Sequence, residues 1–447
     1  MNNKIVEILK AFGINENDLP KLKNIEWKAQ TASKSDILFY YLKDRSQNSI
    51  DLMKKRISDS SYGILIYNSE TDLNIKDGYA LSDADLKSLK SKLLNELYPL
   101  PSKKFIGVTG TNGKTTTVDI ISQLLNQLKL NCLTIGTLGA RINGDEVANF
   151  SLTSPDYIDL RKTIFNLRDQ FDVCALEASS HALDQGRLGE LSFDSIGWTS
   201  FSQDHLDYHK NMEEYYEAKR SLLNYAKTKF VISSKSMELQ KKLGKDALSF
   251  KSSTIPKSPF FMSEFNQVNL EVALGCVTEC GLNIDGLDLE ILSPPPGRFN
   301  TIINGSNVYI IDFAHTPDAL ENVCKETRRA FKDKKLICVF GCGGNRDSSK
   351  RSLMGAAASS ICDYVVLTSD NPRFEDPKAI IEDIALGVSG SVKKICNRKE
   401  AIEFAVRNFD DSVVIIAGKG HEPYIDIKGV KKPFSDEKTL RKIIGRK

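Results

Sequence analysis

The stretch FIGVTGTNGKTTTVDIISQLL, residues 105–125, constrains the fold more than any other part of the chain. A short apolar run leads into glycines at 107, 110 and 113, and Lys114, Thr115 and Thr116 then open a segment with helical apolar spacing. A strand, a glycine loop and a helix start in that order aim backbone N–H groups and a positive helix end at phosphate oxygens. The lysine adds charge against the β- and γ-phosphates, and the threonine after it can reach Mg²⁺. The strict spacing G-x4-G-K-[ST] is not met, because Val108 stands where its first glycine belongs. A glycine turn without a ligand would not need all these features in sequence. An ATP site is therefore expected, built from Gly110, Thr111, Asn112, Gly113, Lys114, Thr115 and Thr116.

The same texture continues downstream. NCLTIG (131–136), FDVCALEA (171–178) and FDSIGWTSF (193–201) alternate with helical stretches, which predicts βαβ units around a parallel sheet. SPPPGRFN (293–300) interrupts the chain with three prolines and a glycine, as a linker does. A second α/β run follows: VYIIDFA, a helix over 317–331, KLICVFG, a helix over 350–361, YVVLTS, a helix from about 376, and SVVIIAG. Ahead of Phe105 lies a smaller region with strand-like pieces, ILFYYL and YGILIY. At 447 residues the chain exceeds one ordinary core. The expected domains are 1–100, 101–296 (ATP-binding) and 297–447.

Composition narrows the partners. A hydrophobic share of 41% with 27% charged residues is ordinary for a soluble globular protein, and a net charge of +3 suggests no nucleic-acid surface. No apolar run approaches a membrane span, and MNNKIVEILKAFGINENDLP lacks a signal peptide's apolar core. The nine cysteines are scattered without a CxxC. The closest pairs, Cys276/Cys280 and Cys338/Cys342, read as buried thiols, so a cytoplasmic location is expected.

Residues 202–223, SQDHLDYHKNMEEYYEAKRSLL, hold two of the chain's five histidines and a lysine beyond clustered glutamates. His205 and His209 stand four apart, as two ligands on one helix face would. Alone, the segment reads as a solvated helix face rather than a metal site.

Taken with that segment, GVTGTNGKTTT, TSPD, LEASSHALDQGRL, FNQVN, PPGRFN, IIDFAHTPDALE, FGCGGNRDSSKRSLMG, TSDNPRFEDP and AGKGHEPY resemble the Mur ligase family, in family order from about residue 105 to the C-terminus. All five histidines, at 181, 205, 209, 315 and 421, fall inside these motifs. The resemblance implies an α/β, three-domain Mur ligase architecture with a central P-loop-type parallel sheet and a Rossmann-like C-terminal domain. It implies a cytoplasmic, ATP-dependent amide ligase of peptidoglycan precursor synthesis. In that chemistry ATP phosphorylates a carboxylate, an amine attacks the acyl phosphate, and a tetrahedral intermediate collapses to amide and phosphate.

The resemblance also assigns residues. Mg²⁺ would be held by Thr115, Glu177, His205 and Lys219, the last as a CO₂-derived carbamate, and Lys114, Glu177, His205 and Lys219 form the catalytic set. Asn266, Asn269, Arg298 and Asp312 join the ATP site. Thr153, Ser154, Ser179, Gln185 and Arg187 would contact the UDP-muramoyl-dipeptide. Arg346, Asn371, Arg373, Gly418 and Glu422 would hold diaminopimelate, with the Arg373 fork on its distal carboxylate and Glu422 on its distal ammonium. Glu213, Glu214 and Glu217 read as a solvated face, and His209 as packing or capping. A monomer with small-molecule partners, no nucleic acid and no membrane insertion is expected.

Two departures stand out. The family's Asp-Ser-Arg stretch is replaced before SDILFYY by KAQTASK, which leaves the uridine contacts unassigned. The segment between Lys219 and FNQVN is short and lacks an Asn-x-Asp-Asp loop, implying lost peripheral strands. Two other readings stay open: the same reaction with L-lysine or another diamino acid, and a P-loop kinase or NTPase, which would leave Lys219 and the C-terminal motifs idle.

Overall fold

A computed structural model describes residues 3–14, 22–42, 46–58, 60–69, 73, 75, 77–150, 152–206 and 208–445. Among them the strands form three main sheets and one hairpin. The central sheet has eight strands, ordered Ala247–Phe250, Phe230–Ser233, Ser195–Trp198, Lys104–Thr109, Val173–Glu177, Cys132–Gly136, Gly139–Ile142 and Asp145–Ala148. The first six run parallel and the last two return as antiparallel turns. Lys104–Thr109 lies between Ser195–Trp198 and Val173–Glu177, so later strands were added on both its sides. Its C-terminal end is therefore a topological switch point, where open α/β sheets leave a crevice for ligands.

These strands read as unbroken apolar runs because helices cover both faces. Helices Lys114–Gln127 and Glu264–Glu279 bury Ile120, Leu124, Val272 and Cys276 against one face. On the other, helix Tyr157–Asn166 buries Ile158, Leu160 and Ile164 beside Leu133, Ile135 and Leu176. The segment after Lys219 supplies two parallel strands at the sheet edge, joined by helix Met237–Leu243.

The N-terminal sheet has four parallel strands, Asn24–Glu26, Asp36–Tyr40, Ile64–Asn68 and Gly78–Leu81. Helix Asp83–Leu97 starts at Ser82, whose hydroxyl accepts from Asp85 N. Its last turn is held by Arg161, a fully buried guanidinium that donates to the carbonyls of Leu94 and Tyr98 and to Asn95 Oδ1. A cation at a helix C-terminus answers the unpaired carbonyls there, and this one fixes the first sheet to the second.

The third sheet is ordered Asn300–Asn304, Asn307–Asp312, Ser412–Ala417, Lys335–Phe340, Tyr364–Leu367 and Val392–Lys394, all parallel except the first strand. The buried pair Arg398–Asp436, bonded at 2.8 Å through both Nε and Nη2, docks the last helix, Asp436–Ile444. No helix among the described residues is long and apolar enough to cross a membrane.

The phosphate-loop helix carries one ill-placed charge. Burial pushes the Asp119 carboxyl up to about 6 from its usual 3.8, only partly offset by the bond from Gln123. The folded state therefore binds more protons than the unfolded one between those two values, so this contribution to stability is full at low pH and is lost as pH rises through about 6. Unfolding titrations in urea should show the native chain losing up to about 3 kcal/mol relative to Asp119→Asn over that window, then running parallel. A constant difference across the window would contradict the shift.

Candidate active site

At the switch point the chain turns from Thr109 into a loop that only glycine can build. Gly110 has φ 150°, and a Cβ there would lie 2.0 Å from Thr199 Oγ1; Gly113 has φ 87°, and a Cβ would lie 2.2 Å from Asn269 Oδ1. Thr111 N donates to Ser200 O and Asn112 N to Ser200 Oγ, which pins the loop to the neighbouring strand end. Gly113 caps helix Lys114–Gln127 without a side chain, so its first-turn N–H groups face the crevice.

Two lysines converge on this loop. Lys114 Nζ donates to Gly110 O and Thr111 O, and Lys219 Nζ also donates to Gly110 O, each at 2.8 Å. Lys219 is 1% exposed and lies 4.5 Å from the centre of the Tyr215 ring. Burial lowers the pKa of both amines; the charge of Lys114 lowers Lys219 further, leaving it well below the ordinary lysine range. The anionic counterweights to Lys114 are Glu177 and Asp204.

Glu177 ends strand Val173–Glu177 at 1% exposure. Its Oε1 accepts from Thr137 N at 2.8 Å and its Oε2 from Thr137 Oγ1 at 3.1 Å. A Cβ at Gly136 would collide with the same carboxylate at 2.1 Å, so that glycine makes room for it. His205 lies in the left-handed region at φ 56°, braced by Asp204, which accepts from its backbone N at 2.8 Å and lies 3.4 Å from its Nε2. Burial draws the imidazole down to about 4, neutral at physiological pH and able to coordinate a metal.

The two histidines of this segment do not share a helix face. The helix starts only at Met212, after Asn211 accepts from Glu213 N and Glu214 N. His209 is buried, 5.2 Å from the Tyr215 ring and 5.7 Å from that of His181, in keeping with a packing role. Glu213, Glu214 and Glu217 are exposed.

Beside Glu177 sits a compact polar group. Ser154 Oγ donates to Glu177 O at 2.7 Å and lies 3.1 Å from Ser179 Oγ; Thr153 Oγ1 lies 3.3 Å from Thr137 Oγ1. Ser179 also caps helix Ser180–Asp184 by accepting from Ala182 N. Arg187 donates to Gln185 Oε1 and Ser154 O, and Gln185 donates to Tyr208 Oη, so Thr153, Ser154, Ser179, Gln185 and Arg187 form one cluster.

On the opposite side of the loop is a cavity of about 460 Å³, lined by Gly113, Asn266, Asn269, Arg298, Asp312 and His315 among others. Asn266 donates to Phe260 O, and Asn269 donates to Asn266 Oδ1, on one face of helix Glu264–Glu279. Arg298 Nη2 reaches Thr115 Oγ1 at 3.4 Å. Asp312 accepts from Phe299 N and Ala314 N, both at 2.8 Å. Its carboxylate thus braces the linker, and any ligand contact must come from remaining lone pairs.

The third sheet contributes a separate pocket at its strand ends. Arg373 adopts φ 51°, donates from N to Asp426 O, accepts at O from Lys428 N, and donates from Nη1 to Gly344 O at 2.8 Å. Asn371 Nδ2 donates to Glu422 Oε2 at 2.8 Å. Gly418, at φ 109°, allows Asp370 to approach, since a Cβ would lie 2.7 Å from its Oδ2. Arg346 is exposed at the rim.

Two residues beyond those singled out from the sequence complete the geometry. Lys419, with no exposed side chain, donates to Asn371 Oδ1 at 3.0 Å and Glu422 Oε2 at 2.9 Å, so its ammonium sets both polar groups of the pocket. Asp318, in the first turn of helix Pro317–Ala330, accepts from Asn112 Nδ2 at 3.0 Å and Ser202 Oγ at 2.8 Å, latching the third sheet to the phosphate loop. Lys419 was legible as a lysine between two glycines at a buried strand end, and Asp318 as a helix-start acid after Pro317.

Comparison with known proteins gives a consistent result. A family model described as Mur ligase middle domain matches residues 108–304, and one described as Mur ligase, glutamate ligase domain, matches 297–420. The UDP-N-acetylmuramoyl-L-alanyl-D-glutamate–2,6-diaminopimelate ligase of Aquifex aeolicus is 34% identical over 96% of this chain and 94% of its own. The protein of the same name from Bacillus cereus is 32% identical over 98% and 97%. A solved structure of a ligase with that name superposes with a TM-score of 0.62 at 28% identity, covering 95% of each chain. A MurF ligase from Thermotoga maritima in complex with ADP shares the fold at TM-score 0.61 and 14% identity.

The loop geometry yields one direct test. Lys114→Ala should leave the circular dichroism spectrum unchanged and weaken ATP binding at least tenfold by calorimetry, since it removes the charge over the loop. Unchanged affinity in a folded variant would show that the loop does not hold phosphate.

Proposed function

The chain belongs to the Mur ligase family of ATP-dependent amide ligases, and from that premise we propose that it joins meso-diaminopimelate to UDP-N-acetylmuramoyl-L-alanyl-D-glutamate. The observation that carries this reading is the pairing of two built sites. A cationic phosphate loop lies near Glu177 and His205, and a pocket at the third sheet's strand ends holds Arg373, whose N bonds Asp426 O, and Glu422, which accepts from Asn371, itself bonded by Asp426 N. Diaminopimelate carries an ammonium and a carboxylate on its distal carbon. An arginine fork and a nearby carboxylate complement both groups, whereas lysine gives the fork no partner.

The reaction begins with two anions, a γ-phosphate and the substrate's terminal carboxylate, that repel one another. Lys114 and the uncapped helix N-terminus attract the phosphate, and Ser154, Ser179, Gln185 and Arg187 present hydroxyl, amide and guanidinium groups suited to the peptide and its carboxylate. Thr115, Glu177 and His205 are the donors that would hold Mg²⁺; the hydroxyl and carboxylate supply the oxygen ligands that ion favours, and His205 adds a neutral imidazole. When bound, the ion supplies charge neutralisation between the two anions. Lys219 fits a carbamate for a reason visible in the fold: its buried amine has one backbone acceptor, sits against a second lysine, and is pushed toward the neutral form that captures CO₂. As a carbamate it would present oxygen acceptors in place of a third cation. After phosphorylation the acyl group faces the pocket that presents the amine, so positioning of the nucleophile falls to Asn371, Arg373 and Glu422. Nine cysteines, all free, support a reducing cytoplasm as the place of action.

Phosphate release with UDP-muramoyl-dipeptide should depend on diaminopimelate and be weak with lysine. Amine-independent ADP release would instead identify an NTPase. Lys219→Ala should lose ligation and recover part of it with a short exogenous carboxylic acid; near-native turnover without rescue would remove the carbamate role. Arg373→Ala should lower kcat/KM for diaminopimelate by about 30-fold or more, the equivalent of roughly 2–5 kcal/mol for a severed charge-assisted pair, with ATP affinity unchanged. Arg373→Lys should recover little, because an ammonium cannot form the two-point contact. A native preference for lysine would overturn the amino-acid assignment and leave the ligase class standing.

A further inference from the structure

We propose that Cys324, Cys338 and Cys362 form a binding site for a single soft monovalent metal ion of the Cu(I) type, remote from the ligase chemistry. The three thiols come from three elements. Cys324 lies on helix Pro317–Ala330, Cys338 lies on strand Lys335–Phe340, and Cys362 lies two residues before strand Tyr364–Leu367. Strand alternation turns Leu336, Cys338 and Phe340 to the face covered by that helix, while Ile337 and Val339 face the other layer. The three Sγ atoms all lie within 4.8 Å of one another, with Cys324 and Cys362 at 3.5 Å. A metal–sulfur bond near ~2.3 Å in a trigonal plane sets sulfurs roughly 4 Å apart, inside that spread.

The donor set selects the ion. Thiolate sulfur favours soft ions, and the cluster gathers three ligands where zinc sites use four. Among the described residues no other histidine, cysteine or carboxylate joins the group. The adjacent Asp363 carboxylate is already taken by Arg328 Nη2 at 2.6 Å and Leu336 N at 2.7 Å. Three sulfurs without a fourth partner suit trigonal Cu(I). The Arg328 guanidinium borders the cluster, donating to Ile361 O and Asp363 Oδ2 on either side of Cys362. Cys362 is 9% exposed and the other two are fully buried, which gives the ion one side of approach.

Bound there, the ion would tie helix Pro317–Ala330 to the sheet behind it. That helix carries the Asp318 latch on the phosphate loop, so occupancy would stabilise the element that joins two domains.

The test uses the full chain, reduced and anaerobic, titrated with Cu(I) against bicinchoninate. One Cu(I) per chain is expected, with a raised Tm by mass action. Affinity should fall at least tenfold in Cys324→Ala, Cys338→Ala and Cys362→Ser, and persist in Cys342→Ala, another buried thiol. Copper that follows Cys342, or that binds all five proteins alike, overturns the site. Should a cluster variant not fold, X-ray absorption on the copper-loaded native chain decides. A shell of three sulfurs supports the proposal, and two sulfurs or any nitrogen or oxygen ligand refutes it.

Discussion

Two lysine amines reaching for one carbonyl form an arrangement that a folded chain does not adopt for stability. Lys114 and Lys219 both donate to Gly110 O, and among the described residues neither has an ion-pair partner within contact distance. Burial holds both below the ordinary lysine range and the charge of Lys114 lowers Lys219 further, so the site is poised for negative charge. Much of the central domain serves this preparation. Glycine at 110 and 113 lets the backbone come close, Gly136 makes room for the Glu177 carboxylate, and Asp204 braces His205 in a strained backbone. A ligase that must bring a phosphate and a carboxylate into contact needs a region that is under-compensated before they arrive.

The same economy holds between domains. Asp312 spends its carboxylate on Phe299 N and Ala314 N, which fixes the linker where Arg298 leaves it and turns that guanidinium toward Thr115. Asp318 reaches the phosphate loop from the other side. The large cavity is therefore walled by two domains, whose contact combines these polar bonds with apolar packing such as Phe265 against Phe299.

Much of this was legible in the residues. The alternation of short apolar runs with helical stretches located the main parallel strands, because strands covered on both faces must be apolar throughout. FIGVTG and its glycines announced the loop, since backbone approach to phosphate requires them. Other features depend on contacts distant in sequence. Lys419 gains its meaning from Asn371, 48 positions away, and Asp318 from Asn112, 206 positions away. The spacing of His205 and His209 suggested one helix face, but the helix of this segment starts only at Met212, where Asn211 accepts from Glu213 N and Glu214 N.

The backbone at Arg373 adds a constraint of a different kind. At φ 51°, pinned between Asp426 O and Lys428 N, the position charges every residue but glycine, and to a lesser degree asparagine and aspartate, a conformational penalty. Variation there is filtered by geometry before it is filtered by chemistry. A lineage or a mutant library that abandons arginine is steered toward Gly, Asn and Asp, and away from the β-branched residues that would close the pocket. With the role proposed for Arg373, amino-acid choice drifts toward smaller, emptier pockets more readily than toward filled ones.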